Sequence, residues 1–170
     1  NYSTQQTIKA LENNIIDFAI VSTPFLVHKH MHQEKLVYYD EILLGGTKYK
    51  QFAQQVHYLE DISEMPLIGL CEGSSTHTHY SRFFMEHDLP FEPDMEAAMT
   101  DQVLPMITHN LGIGFYPKSL ALEAIEKELV FPIELTEPLP NRDVVVITNN
   151  HTPINSAARR FLEFLLENRK

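Results

Sequence analysis

Short apolar runs alternate with helix-forming stretches along this chain of 170 residues, and that alternation restricts its fold more than any other feature. The first run spans residues 15–21, where only Asp17 interrupts the apolar residues. This pattern predicts a strand that is buried on both faces, as the strands of parallel sheets are. Ile8 and Leu11 precede it at helical spacing, and Asn13-Asn14 after them favour a helix end.

Later runs and helices continue the same order. Strands are predicted around residues 36–37, 42–44, 67–70, 113–116 and 144–147. Helices are predicted after residues 73–76, over 103–109, after Pro117, and from Ser156 to the charged end of the chain. The apolar stripe of the last helix comprises Ala157, Phe161, Phe164 and Leu165. Strands that alternate with helices indicate an α/β architecture.

The charge of the chain argues against direct nucleic-acid binding. There are 23 acidic and 13 basic residues, which give a formal net charge of −10. A chain of this charge repels a phosphate backbone, and no cluster of lysine and arginine offsets the repulsion locally. The hydrophobic content of 44% is sufficient for one or two small cores. We therefore expect a globular domain that does not itself bind DNA.

Three further features bear on cellular location. No run of about eighteen apolar residues predicts a membrane span. The opening Asn-Tyr-Ser-Thr-Gln-Gln has the pattern of neither a signal peptide nor a transit sequence. The single cysteine, Cys71, rules out an internal disulfide and fits a reducing compartment. We predict a cytoplasmic location without membrane association.

The order of motifs along the chain resembles that of a known family. The motifs are Ile16-Asp17-Phe18-Ala19-Ile20-Val21, Glu41 ahead of Ile42-Leu43-Leu44, Leu59-Glu60-Asp61-Ile62 ahead of Pro66-Leu67-Ile68, Asn110-Leu111-Gly112-Ile113-Gly114-Phe115-Tyr116-Pro117, and Ser156-Ala157-Ala158-Arg159-Arg160-Phe161-Leu162. Together they resemble the effector-binding domain of LysR-type transcriptional regulators. Each motif alone is a short apolar pattern, but their joint order and spacing cover essentially the whole chain.

The resemblance implies a fold and a division of the chain. The family's sensor resembles a periplasmic binding protein of the second type, with two α/β subdomains, two crossing strands between them and a ligand cleft. Mapped onto this sequence, the first subdomain comprises residues 1–65 and 145–170, and the second comprises residues 66–144. The resemblance also implies that two strands and a helix of the first subdomain, a winged helix-turn-helix and a linker helix lie outside this sequence. The first subdomain is therefore expected to be incomplete.

The resemblance implies a function as well. A domain of this family senses a small-molecule effector and forms homodimers or higher oligomers, and its regulator contacts DNA only through the winged helix-turn-helix. The alternative function is a solute-binding protein of a transporter, which shares the architecture. An enzyme on this fold is a third possibility, with Cys71 as the one candidate attachment point for a covalent cofactor. We predict a sensor with no catalytic residue, no cofactor and no metal.

Candidate ligand contacts follow from the rule that ligands of open α/β sheets lie beyond the carboxyl ends of strands. Hydroxyl groups there can donate hydrogen bonds, and a helix N-terminus adds roughly half a positive charge, so a small anion such as a carboxylate is favoured. Asp101 repels an anion and instead favours a ligand amine or hydroxyl. The predicted ligand contacts are Ser22, Thr23, Gly73, Ser74, Ser75, Thr76, Thr100, Asp101 and Tyr116.

These candidates have simpler alternatives. The hydroxyl residues at 74–76, and Thr100 with Asp101, are also typical helix caps. His28, His30 and His32 alternate and could present imidazoles to a metal, but a solvated loop is the alternative that we favour. His77 could pair with a carboxylate ligand or occupy an exposed helix position.

Overall fold

The structure is a computed structural model of the chain, and it describes residues 2–26 and 29–169. The described residues form two compact units. The first comprises the described residues up to Tyr39 and from Arg142 onward, and the second comprises Asp40–Asn141. None of the described helices is both long enough and apolar enough to cross a bilayer.

The second unit is built on a mixed sheet of six strands, which are β3 (Glu41–Gly46), β4 (Val56–His57), β5 (Leu67–Leu70), β6 (Met95–Ala97), β7 (Ile113–Pro117) and β8 (Val130–Leu135). Their order in the sheet is β4-β8-β3-β7-β5-β6. Strand β3 is antiparallel to β7 and β8, whereas β5 is parallel to β6 and β7, and β4 is parallel to β8. The helices are α2 (Leu59–Ser63), α3 (Ser75–Met85), α4 (Thr100–Thr108) and α5 (Lys118–Glu126), with 3₁₀ turns at Thr47–Tyr49 and Phe52–Gln54.

Helices cover both faces of this sheet. Since successive residues of a strand point to opposite faces, each strand contributes side chains to two cores. Leu43 and Phe115 face one core, which includes residues of α2 and α3. Their neighbours Leu44 and Tyr116 face the other core, which includes residues of α4 and α5. The near-continuous apolar runs of β3 and β7 are thus explained by burial on two sides.

The first unit is a sheet of three strands in the order β1-β9-β2, comprising β1 (Phe18–Ser22), β2 (Met31–Tyr39) and β9 (Arg142–Asn149). Helix α1 (Thr4–Glu12) packs Ile8 and Leu11 against one face of this sheet. Helix α6 (Ser156–Glu167) contacts the strand residue Phe18 through the ring of Phe161, with 6.0 Å between centroids.

Two predictions for the first unit need correction. Strand β1 is antiparallel to β9 rather than part of a parallel sheet, and Ile20 in its middle is 44% exposed. The apolar stripe of α6 does form a helix face, but none of its described residues is buried, and Phe161 and Phe164 remain 51% and 59% exposed. An apolar pattern predicts which face of an element favours burial. How far that face is buried depends on the elements that pack against it.

The boundary between the units differs from the division drawn on the sequence. Residues 40–65 lie in the second unit, because β3 and β4 pair within the six-stranded sheet. The return to the first unit occurs at Arg142, where β9 begins, rather than at residue 145.

Candidate functional site

The second unit gathers several chain segments at one edge of its sheet. Strands β5, β6 and β7 are parallel, so their carboxyl ends at Leu70, Ala97 and Pro117 share this edge. Strand β3 runs the opposite way and begins here, with Glu41 opposite Pro117. Helices α3 and α4 start just after β5 and β6, so their N-termini lie at the same edge. This is the position at which open α/β sheets bind ligands.

The start of α3 is fixed by Ser74, as the capping alternative predicted. The Ser74 Oγ accepts a hydrogen bond from the His77 amide at 3.0 Å. Gly73 before it adopts φ of +83°, a left-handed conformation that glycine tolerates without strain. Ser75 and Thr76 occupy the first turn of α3, where helix amides lack partners within the helix. The cap and the candidate anion site thus belong to one turn, with Ser74 in the structural role.

The start of α4 is not capped by Thr100 or Asp101, which was the alternative role predicted for them. The side-chain oxygen of Gln102 accepts from the amides of Ala98 and Met99, at 2.9 and 3.2 Å. Met99 is the N-cap residue and forms no side-chain cap, so capping is not the role of Thr100 or Asp101. Both side chains are exposed in the first turn of α4 and remain candidates for ligand contact.

A small recess lies between the starts of these helices. Its volume is about 20 Å³, which is close to the space that one ordered water needs. Thr76 and Thr100 are the two predicted ligand contacts that line it, whereas Gly73, Ser74, Ser75, Asp101 and Tyr116 do not. The lining residues are Glu41, Ile68, Gly69, Leu70, Thr76, Tyr80, Phe91, Thr100, Val103 and Phe115.

Two polar residues of this recess were missed by the sequence analysis as site residues. Glu41 is 9% exposed, and its carboxylate accepts a hydrogen bond from the Tyr80 hydroxyl. The Tyr80 ring stacks on Phe115, with centroids 4.3 Å apart. The sequence signal for Glu41 is a charged residue at the start of a fully apolar strand, which indicates a buried carboxylate with a partner.

Tyr116 lies beside the recess in the core under α4 and α5. Burial raises the pKa of its hydroxyl, and the negative charge of Asp101 raises this pKa further. Tyr116 therefore acts in this fold as a neutral, buried side chain, and its predicted role as a ligand contact stays a prediction.

Because the folded state holds the Tyr116 proton more tightly than the unfolded state, we expect stability to fall as pH rises above about 10, where the unfolded tyrosine ionises. Asp101→Asn removes the second cause of the raised pKa, so this variant should lose less stability between neutral and alkaline pH. The measurement is urea unfolding across alkaline pH, with Asp88→Asn as an exposed control. Identical pH dependence in Asp101→Asn and the parent would contradict the assignment.

The other two predicted contacts lie in the first unit. Ser22 pairs with Val144 between β1 and β9, and the Thr23 Oγ1 accepts from the Asp143 amide at 3.0 Å. Arg142, which the sequence analysis did not single out, is 4% exposed and donates from Nε to the Thr23 carbonyl at 2.7 Å. These contacts hold the end of β1 in place, and ligand contact by Ser22 and Thr23 stays a prediction.

The histidine candidates have structural contacts. His28 lies outside the described residues, and the His30 ring packs against His151 with centroids 5.6 Å apart. Residues 2–26 and 29–169 contain no group of three potential metal-binding side chains. His77 is partly buried, with its ring edge against Phe91 and its Nδ1 3.2 Å from Ser81 Oγ, so the exposed alternative is wrong.

The comparison with protein-family models shows the family. Residues 2–170 match the family model of the LysR substrate binding domain. A comparison with curated protein sequences gives no match. The match to the LysR substrate binding domain model favours a regulator's sensor over the alternative of a transporter's solute-binding protein.

Solved structures show the same fold at low sequence identity. The regulatory domain of CcmR from Synechocystis PCC6803, in complex with 2-PG, is 15% identical with a TM-score of 0.85 over 99% of this chain and 80% of that chain. The effector binding domain of QuiR, in complex with shikimate, is 17% identical with a TM-score of 0.84 over 99% and 78%. HinK, a LysR family transcriptional regulator from Pseudomonas aeruginosa, is 18% identical with a TM-score of 0.75 over 96% and 56%.

Proposed function

This chain belongs to the LysR substrate-binding domain family, the effector-sensing part of LysR-type transcriptional regulators, and on that premise we propose that it senses a small carboxylate at the recess of its second unit. The observation that carries the proposal is the recess itself. It lies where the carboxyl ends of parallel strands meet the N-termini of α3 and α4.

The first turn of α3 supplies the features that suit an anion. Backbone amides at a helix N-terminus and the hydroxyls of Ser75 and Thr76 donate hydrogen bonds, and the helix adds a partial positive charge. Thr100 supplies a further hydroxyl from α4. We assign the carboxylate of the effector to the turn at Ser75 and Thr76, where Thr76 lines the recess.

Structures with the same fold support a small-molecule effector. The CcmR domain was solved with 2-PG and the QuiR domain with shikimate. Shikimate is a carboxylate that also bears hydroxyl groups. We infer an effector of comparable size and polarity for this chain, whose identity the shared fold does not specify.

Effector binding regulates a transcription factor only if it favours one conformation over another. We infer that the effector does so here, within a homodimer or higher oligomer of a cytoplasmic regulator. Contact with DNA is assigned to a winged helix-turn-helix outside this sequence, because the net charge of −10 disfavours DNA binding by the chain itself. We assign no catalytic activity to this domain, so the effector is released chemically unchanged.

The experiment is a thermal-shift screen against small carboxylates, followed by calorimetry. A ligand at a hundredfold excess over its Kd stabilises a protein by about 2.7 kcal/mol. Ser75→Ala and Thr100→Ala should each weaken binding by roughly ten- to hundredfold, because a hydrogen bond to a charged group contributes about 1.5–3 kcal/mol.

Matched controls lie in the same two helices. Ser81→Ala and Thr108→Ala remove hydroxyls farther along α3 and α4, beyond the first turns that hold Ser75 and Thr100. These variants should bind the same compound with unchanged Kd. Equal affinity of Thr100→Ala and Thr108→Ala would contradict a site at this edge of the sheet.

A further inference from the structure

The loop that joins α3 to β6 supplies one wall of the recess. This wall is Phe91, which lies near the middle of the loop. Both halves of the loop are held by backbone amides. The Leu89 amide donates to the Phe84 carbonyl at 3.0 Å, and the Leu67 amide donates to Asp94 Oδ2 at 2.8 Å. The position of Phe91 is therefore fixed by bonds that do not involve its own side chain.

The loop occupies the space that a side chain on β5 would otherwise take. A Cβ atom on Gly69 would lie 2.5 Å from Pro93 Cγ and 3.3 Å from Phe91 Cζ. Pro90 and Pro93 restrict the backbone on either side of the ring, because proline fixes φ. Gly69 is thus covered by the ring of Phe91 and by Pro93, and the ring has little freedom to leave β5.

Phe91 is a partly buried ring on top of a fully buried core. Phe84 and Phe115 beneath it are 1% and 8% exposed, and their rings contact each other directly with centroids 6.1 Å apart. The Phe91 ring adds contacts with Phe84, His77 and Tyr80, with centroids 5.1, 5.3 and 5.9 Å away. The aromatic surface beneath Phe91 therefore does not depend on Phe91 for its own packing.

The space that this ring fills is large compared with the recess. The recess has a volume of about 20 Å³, which holds one group of about the size of water. Truncation of a packed phenylalanine to alanine frees roughly 100 Å³, and an apolar cavity of about 150 Å³ binds benzene in other proteins. Phe91 therefore decides whether the recess admits a small group or a ring.

The inference rests on the proposed function: we propose that Phe91 sets the size of the effector group that enters the recess. In this chain that group is no larger than a methyl or hydroxyl group, and any larger apolar substituent of the effector points away from the recess. The ring selects by occupying volume, which is specificity by exclusion. A residue that only supports the core would differ, because its removal would lower stability without creating new binding.

The test measures a gain of binding in Phe91→Ala. Benzoate, phenylacetate and 3-phenylpropionate place a phenyl ring at increasing distances from the carboxylate, and acetate is the reference without a ring. Calorimetry on the intact chain gives the ratio of the Kd of acetate to the Kd of the phenyl acid that binds best. This ratio should be about ten- to hundredfold higher in Phe91→Ala than in the parent, because the freed space buries the phenyl group.

Nuclear magnetic resonance locates the bound ring. Nuclear Overhauser effects between the phenyl protons and the methyl groups of Ile68 and Val103, which line the recess, should appear in Phe91→Ala and not in the parent. Phe131→Ala is the matched control and should keep the ratio of the parent. Phe131 is also partly buried, but it lies on β8, which β3 and β7 separate from β5.

A second variant keeps the test valid if Phe91→Ala does not fold by circular dichroism. Phe91→Leu frees less space, so the ratio should rise by a smaller factor of about three to ten. The same nuclear Overhauser effects should accompany this rise.

The outcomes separate the size limit from the proposed function. An unchanged ratio in the folded variant, or a higher ratio without contacts to Ile68 and Val103, would overturn the role of Phe91 and leave the effector site standing. A parent that already holds the phenyl ring against these two residues would overturn it as well. If neither the carboxylates of the thermal-shift screen nor these four acids bind to the parent or the variants, the proposed carboxylate site is wrong and the size limit with it.

Discussion

Replacing Phe84 with alanine is expected to lower the free energy of unfolding by about 3–5 kcal/mol, the usual cost of removing a fully buried aromatic ring. Phe84 is 1% exposed in the core beneath the recess. Its ring lies 5.1 Å from that of Phe91 and 6.1 Å from that of Phe115, and both of these line the recess. The substitution should therefore also weaken effector binding, since two walls lose their support.

The adjacent residue of the same helix provides the control. Met85 is 71% exposed, so Met85→Ala should change stability by less than about 0.5 kcal/mol. Urea unfolding followed by circular dichroism measures both variants, because the chain has no tryptophan to report by fluorescence. Similar stabilities for the two variants would show that α3 is not packed as described.

Replacing Gly112 with alanine should cost about 3 kcal/mol, at the upper end of the usual range for overpacking. A Cβ atom at this position would lie 2.4 Å from the Pro66 carbonyl oxygen. That oxygen accepts the Ile113 amide at 2.9 Å, so the clash falls on the hydrogen bond that aligns the start of β7. A backbone atom cannot move aside as the end of a flexible side chain does.

Gly73→Ala is the control for Gly112→Ala. It shows whether the steric clash at Gly112, or the replacement of a glycine as such, lowers the stability. A Cβ atom on Gly73 meets nothing within 4 Å, although the φ of +83° imposes strain of about 1–2 kcal/mol on alanine. Urea unfolding should therefore rank Gly112→Ala below Gly73→Ala in stability. The reverse order would mean that the contact between Gly112 and Pro66 yields easily.

Elements with local signals were predictable from the sequence. Helix α3 begins next to its cap Ser74, and α1 ends before Asn14, which adopts a left-handed φ of 56°. Gly112 lies where the strand start approaches the Pro66 carbonyl closely, which is a position that favours glycine. These features depend on a few neighbouring residues, so the sequence pattern contains them.

Elements whose nature depends on distant partners were predicted less well. Strand β8 was missed, since Pro132 within it argues against a central strand, yet Pro132 pairs with Leu44. Only two residues of β2 were predicted to be extended, because most of that strand is polar and exposed. The pairing of β1 was wrong because an apolar run does not specify the direction of its neighbour.

The same distinction applies to the site. Thr76 and Thr100, which line the recess, were proposed as ligand contacts by a rule about strand ends that needs only the order of strands and helices. Glu41 reaches the same edge because β3 is antiparallel to β7, a pairing that places Glu41 opposite the distant Pro117. Its contact with Tyr80 joins two elements that no local pattern links.

The location of the effector site is tested most directly by nuclear magnetic resonance. The isotope-labelled chain is titrated with the carboxylate that stabilises it most, and the amide chemical shifts are followed. We expect the largest chemical-shift changes at Ser75, Thr76 and Thr100, with smaller changes along β5. Shifts confined to the turn at His30 and His151, or to the exposed face of α6, would contradict a site at the starts of α3 and α4.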